Sequence, residues 1–156
     1  MDALVDLLLE WIGEKTPYVT SDMPAPVILT MTPEELVLQY ARGVAQLLPT
    51  DGLIPMPYGI YAPDDGENGV IYITQPRFVP GAFAFPDPKD NPLFQEILLH
   101  ELVHHAQEQS GATRNWPCHR AGELEAYELG GMFLRDAGAQ DPLQDRELWG
   151  LYFSRC

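Results

Sequence analysis

At 156 residues, with 46% hydrophobic and 21% charged residues, the chain has the size and balance of a folded globular protein, and a single domain is expected. Its formal net charge of −14, with Lys15 and Lys89 as the lysines, sets up a field that repels phosphate backbones and anionic lipid. Nucleic acid is thereby excluded as a partner, whereas neutral or cationic substrates and a divalent metal are favoured; an acidic surface also serves plain solubility.

Asp2 to Lys15 carries acids inside an apolar run and reads as an amphipathic helix ending before Thr16-Pro17. Without the basic region of a signal peptide it points first to a cytoplasmic location, and no segment is apolar for the length of a membrane span. A trimmed leader, with Cys118 and Cys156 paired, would instead mean the periplasm or the exterior; two buried thiols would suit the cytosol. Val27-Ile28-Leu29 reads as a short strand. Thr32-Pro33-Glu34-Glu35 then opens a second helix: Thr32 caps, Glu35 completes a capping box, and Leu36, Tyr40, Val44 and Leu47 keep a helical period up to Pro49.

The β-branched and aromatic runs Tyr58-Gly59-Ile60-Tyr61 and Val70-Ile71-Tyr72-Ile73 flank a turn-rich segment, Asp64 to Gly69, and predict a β-hairpin. Gln75 to Asp90, broken by prolines, is expected to be a long loop beside the functional site. Asn91-Pro92 starts a central helix running to about Gln109, with Gly111 as its stop. A further helix from about Arg120 to Asp136 ends at Gly138, and Asp141-Pro142 is expected to cap a last one reaching about Phe153. The fold class is therefore α+β: mostly helical, with a small antiparallel sheet beside the central helix.

The central helix carries His100-Glu101-Leu102-Val103-His104. Residues four apart share a helix face, so His100 and His104 can aim two imidazole nitrogens at one point. Zinc in hydrolases takes three protein ligands and leaves a fourth position for water, whose pKa it lowers. Glu101 is placed to take that water's proton as it attacks a carbonyl, and to return it to the leaving amine. An accidental match to this pattern is expected in about one per cent of shuffled copies of the chain, so its context decides. That context is a capped helix, with apolar Leu98, Leu99, Leu102 and Val103 to bury the motif and a strand before it to align a peptide.

No histidine follows His104 at the spacing of a compact third-histidine site, since His105-Ala106-Gln107-Glu108-Gln109-Ser110 comes next and His119 is far downstream. A carboxylate on the following helix is the other common solution, and Glu123, Glu125 and Glu128 are on offer. Glu123-Leu124-Glu125-Ala126-Tyr127 resembles the Glu-x-x-small-x segment of the gluzincins, the HExxH zinc peptidases whose third ligand is a glutamate. More narrowly, His-Glu-Leu-Val-His-His-x-Gln with Glu-x-Glu-Ala-Tyr looks like a small bacterial family of minimal gluzincin-like proteins. The resemblance covers about Val70 to Arg135 and implies a zincin-like fold with Glu123 as ligand. Glu125, about 200° away around the helix, is the alternative, because only one of the two can face the metal. Tyr127 departs from the gluzincin pattern, where an acidic or amide residue is common; it is a candidate partner for a metal histidine or an oxyanion donor.

Among other polar residues, His105 points about 100° away from His104 and is expected to be solvated or hydrogen-bonded rather than a ligand. His119 is a candidate oxyanion donor or a cap and loop residue, and Tyr72 and Tyr152 are weaker candidate donors. Leu129, Met132 and Phe133 read as core. Together these point to a metallopeptidase binding one Zn²⁺ through His100, His104 and Glu123, with Glu101 as base and acid and the Val70 to Thr74 strand aligning a peptide substrate. A catalytically silent zinc domain, or a zinc hydrolase of non-peptide amides, would use the same residues.

Overall fold

The computed structural model describes residues 1–43 and 58–156. Five α-helices and three strands lie among them, in the order α1 (Asp2–Lys15), β1 (Val27–Met31), α2 (Pro33–Gly43), β2 (Gly59–Ala62), β3 (Val70–Thr74), α3 (Pro92–Gln109), α4 (Glu123–Asp136) and α5 (Arg146–Phe153). The chain is α+β and mostly helical. The expected continuation of α2 through Val44 and Leu47 lies outside the described residues.

Local signals set most helix starts. At α2 the capping box forms in both directions, with the Thr32 amide donating to Glu35 Oε2 at 2.8 Å and the Glu35 amide donating to Thr32 Oγ1 at 3.3 Å. Asn91 Oδ1 accepts from the Leu93 amide at 3.1 Å to start α3, and Gly111, at φ 75°, stops it in the left-handed conformation that glycine adopts without strain. Two boundaries differ from expectation. A 3₁₀ turn (His119–Gly122) precedes α4, and the cap of α5 is Asp145, whose carboxylate accepts from the Leu148 amide, rather than Asp141. Asp141 is drawn into an ion pair with Arg146 instead.

The sheet is mixed, which corrects the expected antiparallel one. β2 and β3 form the hairpin, Gly59 opposite Ile73 and Ala62 opposite Val70, but β1 adds in parallel on the other side of β3, Val27 opposite Val70. The order is β1-β3-β2, so β3 is the central strand. Burial agrees: Val70, Ile71, Ile73 and Thr74 are buried, while Val27 and Leu29 on β1 are exposed.

One apolar cluster joins α1 (Leu8, Ile12), β3 (Ile71, Ile73), α3 (Phe94, Leu98, Leu102) and α4 (Leu129, Phe133, Leu134), with Met132 packed against its edge. Each such side chain contributes about 1.5–3 kcal/mol by leaving water. α3 lies against α1, α4, β2 and β3 at once. A helix enclosed on all sides carries polar residues inside only where they have partners or work to do; here they are Glu96, Glu101, His105 and Gln107.

Segment 75–90 folds into three short 3₁₀ turns, the last packed on α3, and none of its residues lines the cleft described below. The expectation that it borders the site is corrected. The two cysteines are joined, Cys118 to Cys156 with Cα atoms 5.9 Å apart, tying the segment after α5 to the segment before α4.

Candidate metal centre and cleft

His100, His104 and Glu123 come together, one helical turn apart on α3 and at the first position of α4. His100 Nε2 lies 3.2 Å from Glu123 Oε2 and 3.3 Å from His104 Nε2, and His104 Nε2 lies 3.6 Å from Glu123 Oε2. A tetrahedral zinc with bonds of about 2.0–2.1 Å separates neighbouring ligand atoms by about 3.3 Å. The triangle therefore has the right edge for a zinc ion just off its plane, and the donor set of two imidazoles and a carboxylate suits that metal.

The electrostatics also call for a cation. Burial pushes the Glu123 carboxyl up, but its contacts with His100 and His104 outweigh this and hold it well below the usual carboxylate range. Burial opposes a charge on His104 as well, yet Glu123, Glu101 and Gln107 drive it up to about 9.

Glu101 is buried, and burial raises its carboxyl above the ordinary range, with the two histidines opposing. β2 crosses directly over it: a Cβ on Gly59 would lie 2.7 Å from both Glu101 Cγ and Oε1. Only glycine leaves room for that approach. His105 holds β2 in place, donating from Nε2 to the Pro24 carbonyl at 2.8 Å and leaving Nδ1 to accept from the Tyr61 hydroxyl at 3.2 Å. It is fully buried and hydrogen-bonded, as the second of its two expected environments required.

Glu125 faces away from the triad, accepting from the Tyr18 hydroxyl at 2.6 Å and from Gln107 Nε2 at 2.8 Å. As an alternative ligand it is ruled out by this placement. Tyr127 packs its ring edge-on against His100, centroids 4.9 Å apart at 82°, and makes no hydrogen bond to either histidine. Burial keeps its phenol protonated, and it lines the cleft. His119 also lines the cleft but is exposed, with Nδ1 3.9 Å from Glu108. Tyr72, bonded to Asp65, and the exposed Tyr152 do not line it, which removes both as oxyanion donors.

The cleft has a volume of about 490 Å³ and runs from the triad between β2 (Ile60, Tyr61), with Tyr58 just before it, and the aromatic face of α5 (Trp149, Phe153). β3 is sealed between two neighbours, which corrects the expectation that it aligns a substrate; on the far side of β2 lies no described strand. Sequence reasoning also missed the residue that orients His104. Gln107 Oε1 accepts from His104 Nδ1 at 2.9 Å, and its position three residues after His104 was the available signal.

Among known proteins, a family profile described as a domain of unknown function (DUF6647) matches residues 1–144. No curated protein and no solved structure matches the chain.

Proposed function

The chain belongs to the DUF6647 family, whose description assigns no function, and from the geometry of the cleft we propose that it is a zinc-dependent metallopeptidase, a zincin-like domain of gluzincin type. It holds one Zn²⁺ on His100, His104 and Glu123. The observation that carries this reading is the 3.2, 3.3 and 3.6 Å triangle of donor atoms beside a buried Glu101, under an open strand edge. When bound, zinc supplies Lewis-acid chemistry, polarising a carbonyl and bringing a water's pKa near neutrality.

The residues supply the rest. Backbone groups of β2 pair with an extended peptide and lay its scissile bond along the motif helix. Glu101, desolvated and so a stronger base than an exposed carboxylate, takes a proton from the attacking water and hands it to the departing amine. Tyr127, a neutral phenol beside His100, is the better placed of the two candidate oxyanion donors, and His119 stands at the cleft mouth. The disulfide supports an oxidising compartment.

The open edge of β2 favours an extended peptide over a small non-peptide amide. Against a silent zinc domain stands the count of ligands: no fourth histidine, cysteine or carboxylate joins the cluster among the described residues. Replacing Glu101 with Gln should leave one equivalent of bound zinc and cut hydrolysis of a denatured-protein substrate by about 10²–10⁴-fold. Turnover equal to that of the unmodified chain would sink the mechanism.

A further inference from the structure

Gln107 is an unusual partner for a metal-binding histidine. A carboxylate or a backbone carbonyl can only accept, so it forces the imidazole to carry its proton on the nitrogen facing it. A glutamine amide has two ends. Turned one way it accepts from Nδ1–H and leaves Nε2 bare for a metal; turned the other it donates to Nδ1 and favours a proton on Nε2, where the metal must bind. Gln107 by itself does not choose.

Its surroundings choose for it. The Gln107 side chain is buried, and its Nε2 donates to two acceptors, the Gly122 carbonyl at 3.1 Å and Glu125 Oε2 at 2.8 Å. Reversing the amide would set its oxygen against that carbonyl and that carboxylate, two acceptors facing an acceptor in a buried setting. Glu125 is itself held by the Tyr18 hydroxyl, which donates to the same Oε2 at 2.6 Å. Burial, with Glu125 adding to it, keeps that phenol in its protonated, donating form. Gly122 completes the fit, since a Cβ there would collide with Gln107 Oε1.

We propose that Tyr18 and Glu125 are positioning residues for the metal centre: they fix the direction of the Gln107 amide, and so the tautomer of His104 that can bind zinc. This rests on the metal reading above and assigns work to two residues, on the segment after α1 and on α4, that touch neither metal nor substrate. Glu125 is thereby an outer partner of the site and not a rival ligand.

The test is zinc affinity of the full chain by chelator competition, with nitrogen-15 spectra of His104 in the zinc-loaded protein and thermal melts of the zinc-free one. Glu125→Leu should weaken zinc binding by about 10–100-fold, the usual effect of losing an outer partner. Tyr18→Phe should weaken it less, with the zinc-free melting temperature little changed. In Gln107→Glu/Glu125→Gln the group on His104 can only accept whichever way it turns, so zinc affinity should stay near that of the unmodified chain and should no longer fall when Tyr18→Phe is added. Unchanged zinc affinity in folded Glu125→Leu and Tyr18→Phe overturns the proposal. Should Glu125→Leu not fold, Tyr18→Phe and the exchanged pair decide the matter alone. If the unmodified chain binds no zinc, the metal reading itself has failed. The spectra of its metal-free form, followed across pH to the neutral imidazole, still decide the lock: a proton on Nδ1 that redistributes in Tyr18→Phe supports it, and an unchanged distribution refutes it.

Discussion

Replacing Arg146 with Met tests how α5, and the cleft wall it carries, is held. Arg146 Nη1 donates to Glu96 Oε1 at 2.6 Å, while Nε and Nη2 donate to the two oxygens of Asp141 at 2.6 and 3.0 Å. The Arg146 and Glu96 side chains are only 8% and 11% exposed. The guanidinium passes over Gly130, where a Cβ would strike the Glu96 carboxylate and come within 2.6 Å of Nη1. Methionine fills much of the same volume, so the loss is mainly electrostatic: removing one partner of a buried pair costs about 3–5 kcal/mol because the other charge is stranded. A stranded carboxylate escapes by taking a proton, which at pH 7 costs about 3.7 kcal/mol from an ordinary carboxyl pKa, and this caps the penalty. We therefore expect a deficit of about 3–4 kcal/mol at pH 7, or roughly 6–16 °C in melting temperature for a chain of this size. The cap falls by about 1.4 kcal/mol per pH unit, so the deficit should narrow to about 1 kcal/mol near pH 5. Urea denaturation of both proteins at matched zinc across that range measures it, and Glu96→Leu added to Arg146→Met should restore most of the loss. A deficit below about 1 kcal/mol at pH 7, or one that does not shrink toward pH 5, would refute the reasoning.

Gly59→Ala places a Cβ against Glu101 and should displace either β2 or the carboxylate. Peptide hydrolysis should fall by about 10–100-fold while zinc content, read by elemental analysis, stays at the unmodified level. Opening the disulfide in Cys118→Ser/Cys156→Ser frees a loop with a sequence separation of 38 and should cost about 2–4 kcal/mol in denaturant melts; an unchanged midpoint would contradict it. At Asp141, burial pushes the carboxyl up, but hydrogen bonds from Arg146 and the Leu143 amide outweigh it and hold it below the usual range. Its stabilisation is therefore complete above the ordinary carboxyl pKa and is lost as pH falls through the lowered value. Asp141→Asn should flatten that acid limb of the stability profile, and a limb of unchanged slope would count against the assignment.

Helices were the legible part of the chain because their signals are local. The Thr32–Glu35 box, Asn91 before Pro92 and Gly111 after Gln109 act within a few residues of the boundaries they set. The pairing of His100 with His104 was legible for the same reason, one turn of one helix. Asp141 misled because a carboxylate before a helix can cap it or bind a cation, and here Arg146, five residues on, took it.

The sheet was half legible. A hairpin such as β2–β3 joins neighbours through a turn that writes itself in glycine and acidic residues, whereas the parallel addition of β1 depends on a crossover that includes α2 and on burial of both faces of β3. That addition is also what closes the outer edge of β3, leaving β2 as the strand at the cleft with no described strand on its far side.

By itself, then, the sequence determined that two histidines would share a helix face with a glutamate next to the first of them, and that a carboxylate downstream was the remaining candidate to join them. Composition and pattern reach that far because helix periodicity is a property of the backbone. Tertiary structure decided which of the two candidate glutamates, Glu123 or Glu125, lies beside the histidines: it is Glu123, the one the resemblance implied. α4 packs on α3 in the one rotation that buries Ala126, Leu129 and Phe133, and this turns Glu123 toward His100 and Glu125 toward Tyr18 and Gln107.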